Sequence, residues 1–247
     1  MKKMLMIIGV IVSFILIGLG IYGLLASDSL NNVQTNDSLK ESLENIKSAK
    51  RFTMIMSTES NVSTENIEMF LKANLETNES ETSVSMSGIL LMHDYDVLED
   101  GQIVTYSSVP MLGINDWYRT PATTSNITND ADNTIDVLIQ NIDYFEKEND
   151  VFKAVFPKEI ANQLYKSSDN ADSNTSSQDG PDVVGDIPVT IKDENGSISI
   201  IVDYSNNAKI EDEMRTKLIL SIVYSEIGTA KVEVPEDVKA SIKEGDE

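Results

Sequence analysis

Few side chains in this sequence of 247 residues could do covalent chemistry. There is no cysteine, which excludes thiolate nucleophiles, disulfide bonds and cysteine-based metal sites. His93 is the only histidine, so a histidine-based triad or a multi-histidine metal site is nearly excluded. It stands among acids near a predicted turn, where we expect it at the surface. Because 41 Asp and Glu residues make carboxylate pairs common by chance, none is assigned to acid–base catalysis.

The known motifs of catalytic and phosphate-binding loops are also missing. The sequence has no glycine-rich phosphate loop and no nucleophile elbow. We therefore predict that the protein is not an enzyme and has no catalytic residues, no metal site and no cofactor.

Methionine is the residue type whose spacing points to a different kind of chemistry, the binding of apolar molecules. Methionine is flexible and polarisable, and it lines sites that must fit varied apolar shapes. Several methionines alternate with polar residues along predicted strands and share one face. The candidate ligand-binding residues are Met54, Met56, Met69, Leu71, Met86 and Trp117. The alternative for the methionines is ordinary core packing, and Trp117 with Tyr118 could instead pack a strand edge.

Net charge separates the first 26 residues from the rest of the chain. All 41 acidic residues follow Ala26, together with 17 of the 19 Lys and Arg residues, so this part carries 17 − 41 = −24. Such a domain is repelled by nucleic-acid phosphates and by anionic lipid headgroups, so no nucleic-acid partner is predicted. The charge favours solubility, and binding of a cation or a basic partner is the alternative.

The stretch from Met4 to Ala26 is predicted to anchor the protein in a membrane. It holds 23 residues without a charge, and as a helix it would be about 35 Å long, enough to span a bilayer core of roughly 30 Å. Lys2 and Lys3 precede it, which places residues 1–3 in the cytoplasm and the bulk of the chain outside, in a single-pass topology. A cleaved signal is the alternative, whereas a lipoprotein signal would need a cysteine where Asp28 stands. An exported chain without cysteine indicates a bacterial protein.

Residues 27–36 are polar and predict a linker to a domain that spans residues 37–242. That domain opens with a predicted amphipathic helix, whose apolar face is Leu39, Leu43 and Ile46. Ser38 and Glu41 fit the capping box, in which each side chain binds the backbone N–H of the other residue.

The period of the pattern then changes to two, which predicts antiparallel strands joined by short turns. The segments concerned are RFTMIMST, IEMFLKANLET, TSVSMSGILL, GQIVTYSSV and DWYRT. Helical spacing returns in NTIDVLIQNIDYF and FPKEIANQLYK. The polar, acidic stretch 167–186 follows and predicts a flexible insert; a calcium loop is the alternative, although the spacing of the EF-hand motif is missing.

The end of the domain predicts strands again. Asn195-Gly196 is a two-residue hairpin signal. Residues 216–227 carry apolar side chains on both faces of a predicted strand, so we expect this strand to be covered on both faces. Residues 228–234 predict a closing strand, Pro235 the start of a short helix, and residues 243–247 a tail.

This order of helix, alternating strands, mid-chain helices and C-terminal strands resembles the LolA/LppX-like superfamily of bacterial envelope proteins. The features that carry the resemblance are the leading helix, the aromatic pair in INDWYRT, and LILSIVYSEIGTAKVEVPEDV with its apolar-x-apolar-Pro step into a last helix. The resemblance implies an α+β fold. A long, curved antiparallel sheet, like an unclosed β-barrel, would carry helices on its concave side and follow one N-terminal transmembrane helix.

Characterised members of that superfamily bind acyl chains or lipidated proteins in the hollow of the sheet, and many are lipoproteins. Here a transmembrane helix would replace the lipid anchor. We therefore expect a membrane-tethered, extracytoplasmic binding module for an apolar ligand, with a lipid or a lipidated peptide as partner. The alternative is a structural or protein-interaction ectodomain at the cell surface, whose core is filled by its own side chains. A cell-envelope hydrolase is a third, weaker alternative.

Overall fold

One large sheet and four short helices make up the part of the chain that the structure, a computed structural model, describes: residues 36–61, 66–121, 131–166, 185–205 and 217–243. The helices are α1 Asp37–Ser48, α2 Ala131–Gln140, α3 Lys158–Lys166 and α4 Glu236–Ala240. The strands are β1 Arg51–Ser60, β2 Ile67–Asn74, β3 Glu79–Met86, β4 Ile89–Glu99, β5 Gln102–Val109, β6 Ile114–Pro121, β7 Glu146–Glu148, β8 Val151–Phe156, β9 Ile187–Glu194, β10 Ser197–Asp203, β11 Leu218–Ser225 and β12 Ile242–Lys243. Short 3-10 helices cover Pro110–Leu112 and Ile142–Tyr144.

The strands lie in the order β12-β6-β5-β4-β3-β2-β1-β11-β10-β9-β8-β7. Every neighbouring pair is antiparallel except β12 with β6, which is parallel. The sheet does not close, because β7 and β12 lie at its two edges. These observations confirm the α+β class and a large, unclosed antiparallel sheet.

The predicted membrane anchor, Met4–Ala26, lies outside the described residues, as do residues 167–184 of the predicted insert. Within the described residues no helix is both long enough and apolar enough to cross a membrane.

Most of the segments predicted from alternation coincide with strands, whereas β7, β8 and β12 have no predicted counterpart. RFTMIMST lies within β1, and IEMFLKANLET overlaps β2. TSVSMSGILL spans the end of β3 and the start of β4, which are joined by a turn at Ser87-Gly88 with positive φ angles of 51° and 78°. Asn195-Gly196 forms the predicted turn between β9 and β10, with φ angles of 54° and 76°, as a type I′ hairpin requires.

One face of the sheet, which we call the helix-covered face, carries the main core. Leu39, Leu43 and Ile46 of α1 are at most 2% exposed, and they pack in one cluster with Ile135 and Leu138 of α2. Side chains of α3 and of eight strands complete the cluster. The strand residues include Phe52, Ala73, Leu91, Phe152, Phe156, Ile187, Ile191, Ile200, Ile222 and Tyr224. Because side chains alternate along a strand, these residues share one face.

The capping box predicted for α1 does not form. Asn36 precedes the helix and makes no side-chain cap bond, and Ser38 lies inside the first turn. The Asn36 side chain instead donates a hydrogen bond of 2.6 Å to the carbonyl oxygen of Phe145, just before β7. The start of α1 is thereby tied to a distant loop, a contact that no local motif can show.

The opposite face, which we call the outer face, carries a second, smaller core. Tyr95 and Val97 of β4 pack with two residues of β5 and with the chain after β11; the other members are Val104, Tyr106, Val232, Val234 and Val238. The closing strand predicted at residues 228–234 is absent, because Gly228 and Thr229 lie in a turn and residues 230–234 pair with no described strand. On the outer face of β11, Ile219 and Val223 are half-buried. Their neighbours Ile55 and Ile201 are 36% and 38% exposed, so the described residues cover this face of β11 only in part.

Candidate functional site

The buried methionines lie at the centre of the helix-covered face. Met54 of β1 and Met69 of β2 are 3% and 6% exposed and belong to the main core. Met54 is paired with Leu71, and Met56 with Met69, so these four side chains form two adjacent rows across β1 and β2. The burial of Met54 and Met69 is what a core filled by its own side chains would show.

A second set of apolar side chains on the same face is only half-buried. We call this set the methionine band, and its residues pack against the main core without being enclosed by it: Met56, Leu71, Met86, Met92, Leu218 and Leu220. The band reaches from β11 across β1, β2 and β3 to β4. Met56, Met69, Val84 and Met92 occupy paired positions on four consecutive strands and form one lateral line.

The band continues into a polar region on the same face. Asp94 and Asp96 of β4 lie on this side because Val84, a main-core residue, is paired with Met92 two positions before. Ser107 donates a hydrogen bond of 2.5 Å to Asp94, and Thr105 donates one of 2.5 Å to Asp96. The helix-covered face therefore changes from methionine and leucine to carboxylates and hydroxyls between β2 and β5.

Burial raises the pKa of Asp94, and repulsion by Asp96 adds to this. The hydrogen bond from Ser107 acts in the opposite direction but does not cancel the effect. The ionised carboxylate of Asp94 is thus held in an environment that disfavours its charge.

The structure brings five of the six predicted ligand-binding residues together on the helix-covered face. The sixth, Trp117, lies on the outer face, where it packs against the second core. In the register of β5 with β6, Ser107 is opposite Tyr118, so Tyr118 shares the face of Asp94 and Trp117 points the other way. Of the predicted aromatic pair, only Tyr118 lies on the face of the methionines.

Sequence reasoning missed three members of the methionine band, Met92, Leu218 and Leu220. The register of β3 with β4 shifts between Val84 and Ser85, which leaves Leu91 as an extra residue. This bulge breaks the alternation around Met92, so a period of two does not find it. Leu218 and Leu220 lie on the helix-covered face of β11. Because apolar residues occupy both faces of this strand, the sequence does not show which of them face the methionines.

His93 lies on the outer face in an aromatic cluster and is less exposed than expected, with 22% of its side chain accessible. Its Nε2 is 3.1 Å from Oε1 of Glu81, and its ring centroid is 4.7 Å from that of Tyr95 and 5.3 Å from that of Trp117. Burial raises the pKa of Glu81, but hydrogen bonds from His93 and Tyr95 outweigh it and leave this pKa below its ordinary value.

No group of three or more side chains that could hold a metal ion occurs in the described residues.

Comparison with known proteins gives only distant structural similarity. No protein-family model matches the sequence, and no curated protein matches it. Among solved structures, the chain is similar to the lipoprotein LppX of Mycobacterium tuberculosis. The match covers 81% of this chain and 100% of that chain, with 10% sequence identity and a TM-score of 0.36.

Proposed function

We propose that the protein is a membrane-tethered, extracytoplasmic module that binds an apolar ligand, a lipid or a lipidated peptide, and that it is not an enzyme. The observation that supports this function is the methionine band. Its side chains lie beside a fully buried core but stay half-buried themselves.

Half-buried methionines suit an acyl chain for a physical reason. Each CH₂ group removed from water contributes about 0.8 kcal/mol, and flexible thioether side chains adapt to chains of different length. An acyl chain lying along Met56, Met86 and Met92 would complete the burial that the helices leave unfinished. The neighbouring carboxylates and hydroxyls on β4 and β5 would face the polar end of such a ligand.

A second function is supported by the buried part of the same face. Leu39 and Leu43 are fully buried at 0% exposure, and Met54 and Met69 are less than 7% exposed. A core filled in this way is what a structural or protein-interaction ectodomain would have. The two functions differ in whether the methionine band takes up an apolar molecule.

Native mass spectrometry of the full chain, extracted from its own membrane in mild detergent, tests the proposed function. We expect an added mass that collisional activation releases as a lipid or an acylated peptide. Protein that carries only detergent, in extracts where other lipid-binding proteins keep their lipids, would favour the ectodomain alternative.

The tether is a separate part of the proposal and is supported by the uncharged stretch from Met4 to Ala26 with Lys2 and Lys3 before it. We expect the protein in the membrane fraction, with Met1 or Lys2 at its mature N-terminus. A soluble species that begins between Ser27 and Asn32 would show that the stretch is a cleaved signal.

A further inference from the structure

The chain after β11 has the burial pattern of a strand but does not pair as one. From Ala230 to Val234 the residues alternate between buried and exposed, with Ala230, Val232 and Val234 at 1%, 9% and 6% exposure. Val232 and Val234 pack against residues of β4 and β5, and Lys231 and Glu233 are exposed to solvent. This alternation is the pattern that predicted a strand.

The backbone of this segment lacks hydrogen-bond partners among the described residues. The turn before it is bonded, since the N–H groups of Thr229 and Ala230 donate to Glu226. The carbonyl oxygen of Pro235 accepts from Lys239 in α4. Between these points, residues 231–234 form no backbone or side-chain hydrogen bond with the described chain and belong to no strand pair. Their donors and acceptors are those that a β-strand uses to bind a neighbour.

A groove of about 280 Å³ runs beside the segment. Val232 and Val234 form one wall, and Val97 of β4 contributes apolar surface to the other. A volume of this size holds one or two side chains.

Carboxylates surround the groove. Glu79 and Glu99 line the side formed by β3 and β4, and Glu233 and Glu236 line the side formed by the segment and α4. Lys239 and Arg119 offset part of this charge, Lys239 through Glu236 at 3.3 Å and Arg119 through Glu99 at 2.8 Å. The rim therefore stays acidic, in a domain whose charge already attracts cations.

We propose that residues 231–234 and this groove bind an extended, basic segment of a partner protein by β-strand addition. Main-chain hydrogen bonds to the unpaired backbone supply affinity, as in other modes of strand addition. Apolar side chains on alternate positions of the partner contact the walls formed by Val97, Val232 and Val234, and its Lys or Arg residues face the glutamates. This site lies on the outer face, so it goes beyond the ligand site of the helix-covered face.

The probe is the peptide acetyl-KVKVKVK-amide carrying fluorescein, titrated with the full chain in a non-ionic detergent, with empty micelles as the blank. We expect saturable binding by fluorescence polarisation, and at least tenfold weaker binding of acetyl-EVEVEVE-amide. A peptide of the same charge with every internal amide N-methylated cannot donate main-chain hydrogen bonds. Its affinity should fall at least tenfold, and an unchanged affinity would overturn strand addition.

Two double variants separate this groove from the general negative charge of the domain. Glu233→Gln with Glu236→Gln should weaken binding of the lysine peptide at least fivefold in 50 mM salt. Glu41→Gln with Glu159→Gln changes the net charge equally at exposed positions of α1 and α3 and should leave affinity unchanged. An equal loss in both variants would overturn the site. A dimer of the full chain that the peptide dissociates would also overturn it, because the segment would then pair with a second copy.

Discussion

Met54 and Met56 are two positions apart in β1 and share a face, yet Met54 is 3% exposed and Met56 is half-buried. Met54 therefore contributes to folding, while Met56 and its neighbours in the methionine band are free to contact a ligand. The same contrast distinguishes Met54 from Met86, and it can be tested by placing an amide at each position.

Met54→Gln should lower the free energy of unfolding by about 1–3 kcal/mol, because the buried amide loses its hydrogen bonds to water. Met86→Gln should change stability by less than about 0.5 kcal/mol, since water reaches a half-buried position. Urea unfolding followed by far-UV circular dichroism measures both. Equal losses would mean that the methionine band belongs to a filled core.

Asp94 allows a test by pH. Its raised pKa means that the folded protein binds this proton more tightly than the unfolded chain does. The ionised carboxylate therefore destabilises the fold at neutral pH, and the penalty disappears as pH falls through the raised pKa towards the ordinary value of 3.8. Asp94→Asn should raise the melting temperature at pH 7, and its advantage should shrink as pH falls towards 4.

Thermal unfolding of both proteins between pH 7 and 4 measures this difference. Asp150→Asn, in an exposed turn, is the matched control and should show no such trend. An advantage of Asp94→Asn that grows as pH falls would contradict the assignment.

At the residue scale, the sequence predicted the face of a side chain well where alternation was regular. Met54, Met56 and Met69 follow a strict period of two and lie where expected. Alternation does not show which of the two faces carries the core. For this reason the sequence predicts Trp117 as a ligand-binding residue, although Tyr118 is the one that lies on the face of the methionines. It also fails at a bulge, as Met92 shows.

At the element scale, α1 begins with a contact to a distant loop. Asn36→Ala removes the hydrogen bond to the carbonyl oxygen of Phe145 and should lower the free energy of unfolding by about 1 kcal/mol. Ser38→Ala is the matched control. Because Ser38 does not cap the helix, that change should be nearly neutral. Chemical denaturation of both variants measures the difference. A larger loss of unfolding free energy in Ser38→Ala than in Asn36→Ala would show that Ser38 caps the helix after all.

The segment that follows β11 is held to the outer face by its valines. Val234→Asp would bury a carboxylate without a partner at a position that is 6% exposed, and should lower the free energy of unfolding by about 3–5 kcal/mol. Val155→Asp, at a position that is 59% exposed, should cost less than about 1 kcal/mol. Similar effects of the two changes, measured by urea unfolding, would mean that the segment is not packed as described.

Local patterns predicted the elements themselves but not all their partners. The period of two identified β1 to β6, and helical spacing identified α1, α2 and α3. Residues 230–234 satisfied the same period without becoming a strand, because pairing depends on what lies beside the chain and not on its own sequence. The parallel contact of β12 with β6 joins positions more than a hundred residues apart and has no local signal.

At the scale of the whole molecule, one unclosed sheet carries a large core on the helix-covered face and a small core on the outer face. The segregation of helices and strands along the sequence was enough to predict this class of fold. It was not enough to predict how far the helices fill the face they cover, because that depends on side chains from eight strands. The separation of buried from half-buried methionines is therefore a result of the structure.

The most direct test of the central claim is a titration of the full chain in detergent with a fluorescent fatty acid, followed by displacement with an unlabelled fatty acid. We predict saturable, displaceable binding that weakens at least fivefold in Met86→Gln. Ile55→Gln, on the outer face of β1 and 36% exposed, is the matched control and should bind as the wild type does. Absence of saturable binding to the folded wild-type protein, or equal weakening in both variants, would contradict the proposal that the methionine band binds an apolar ligand.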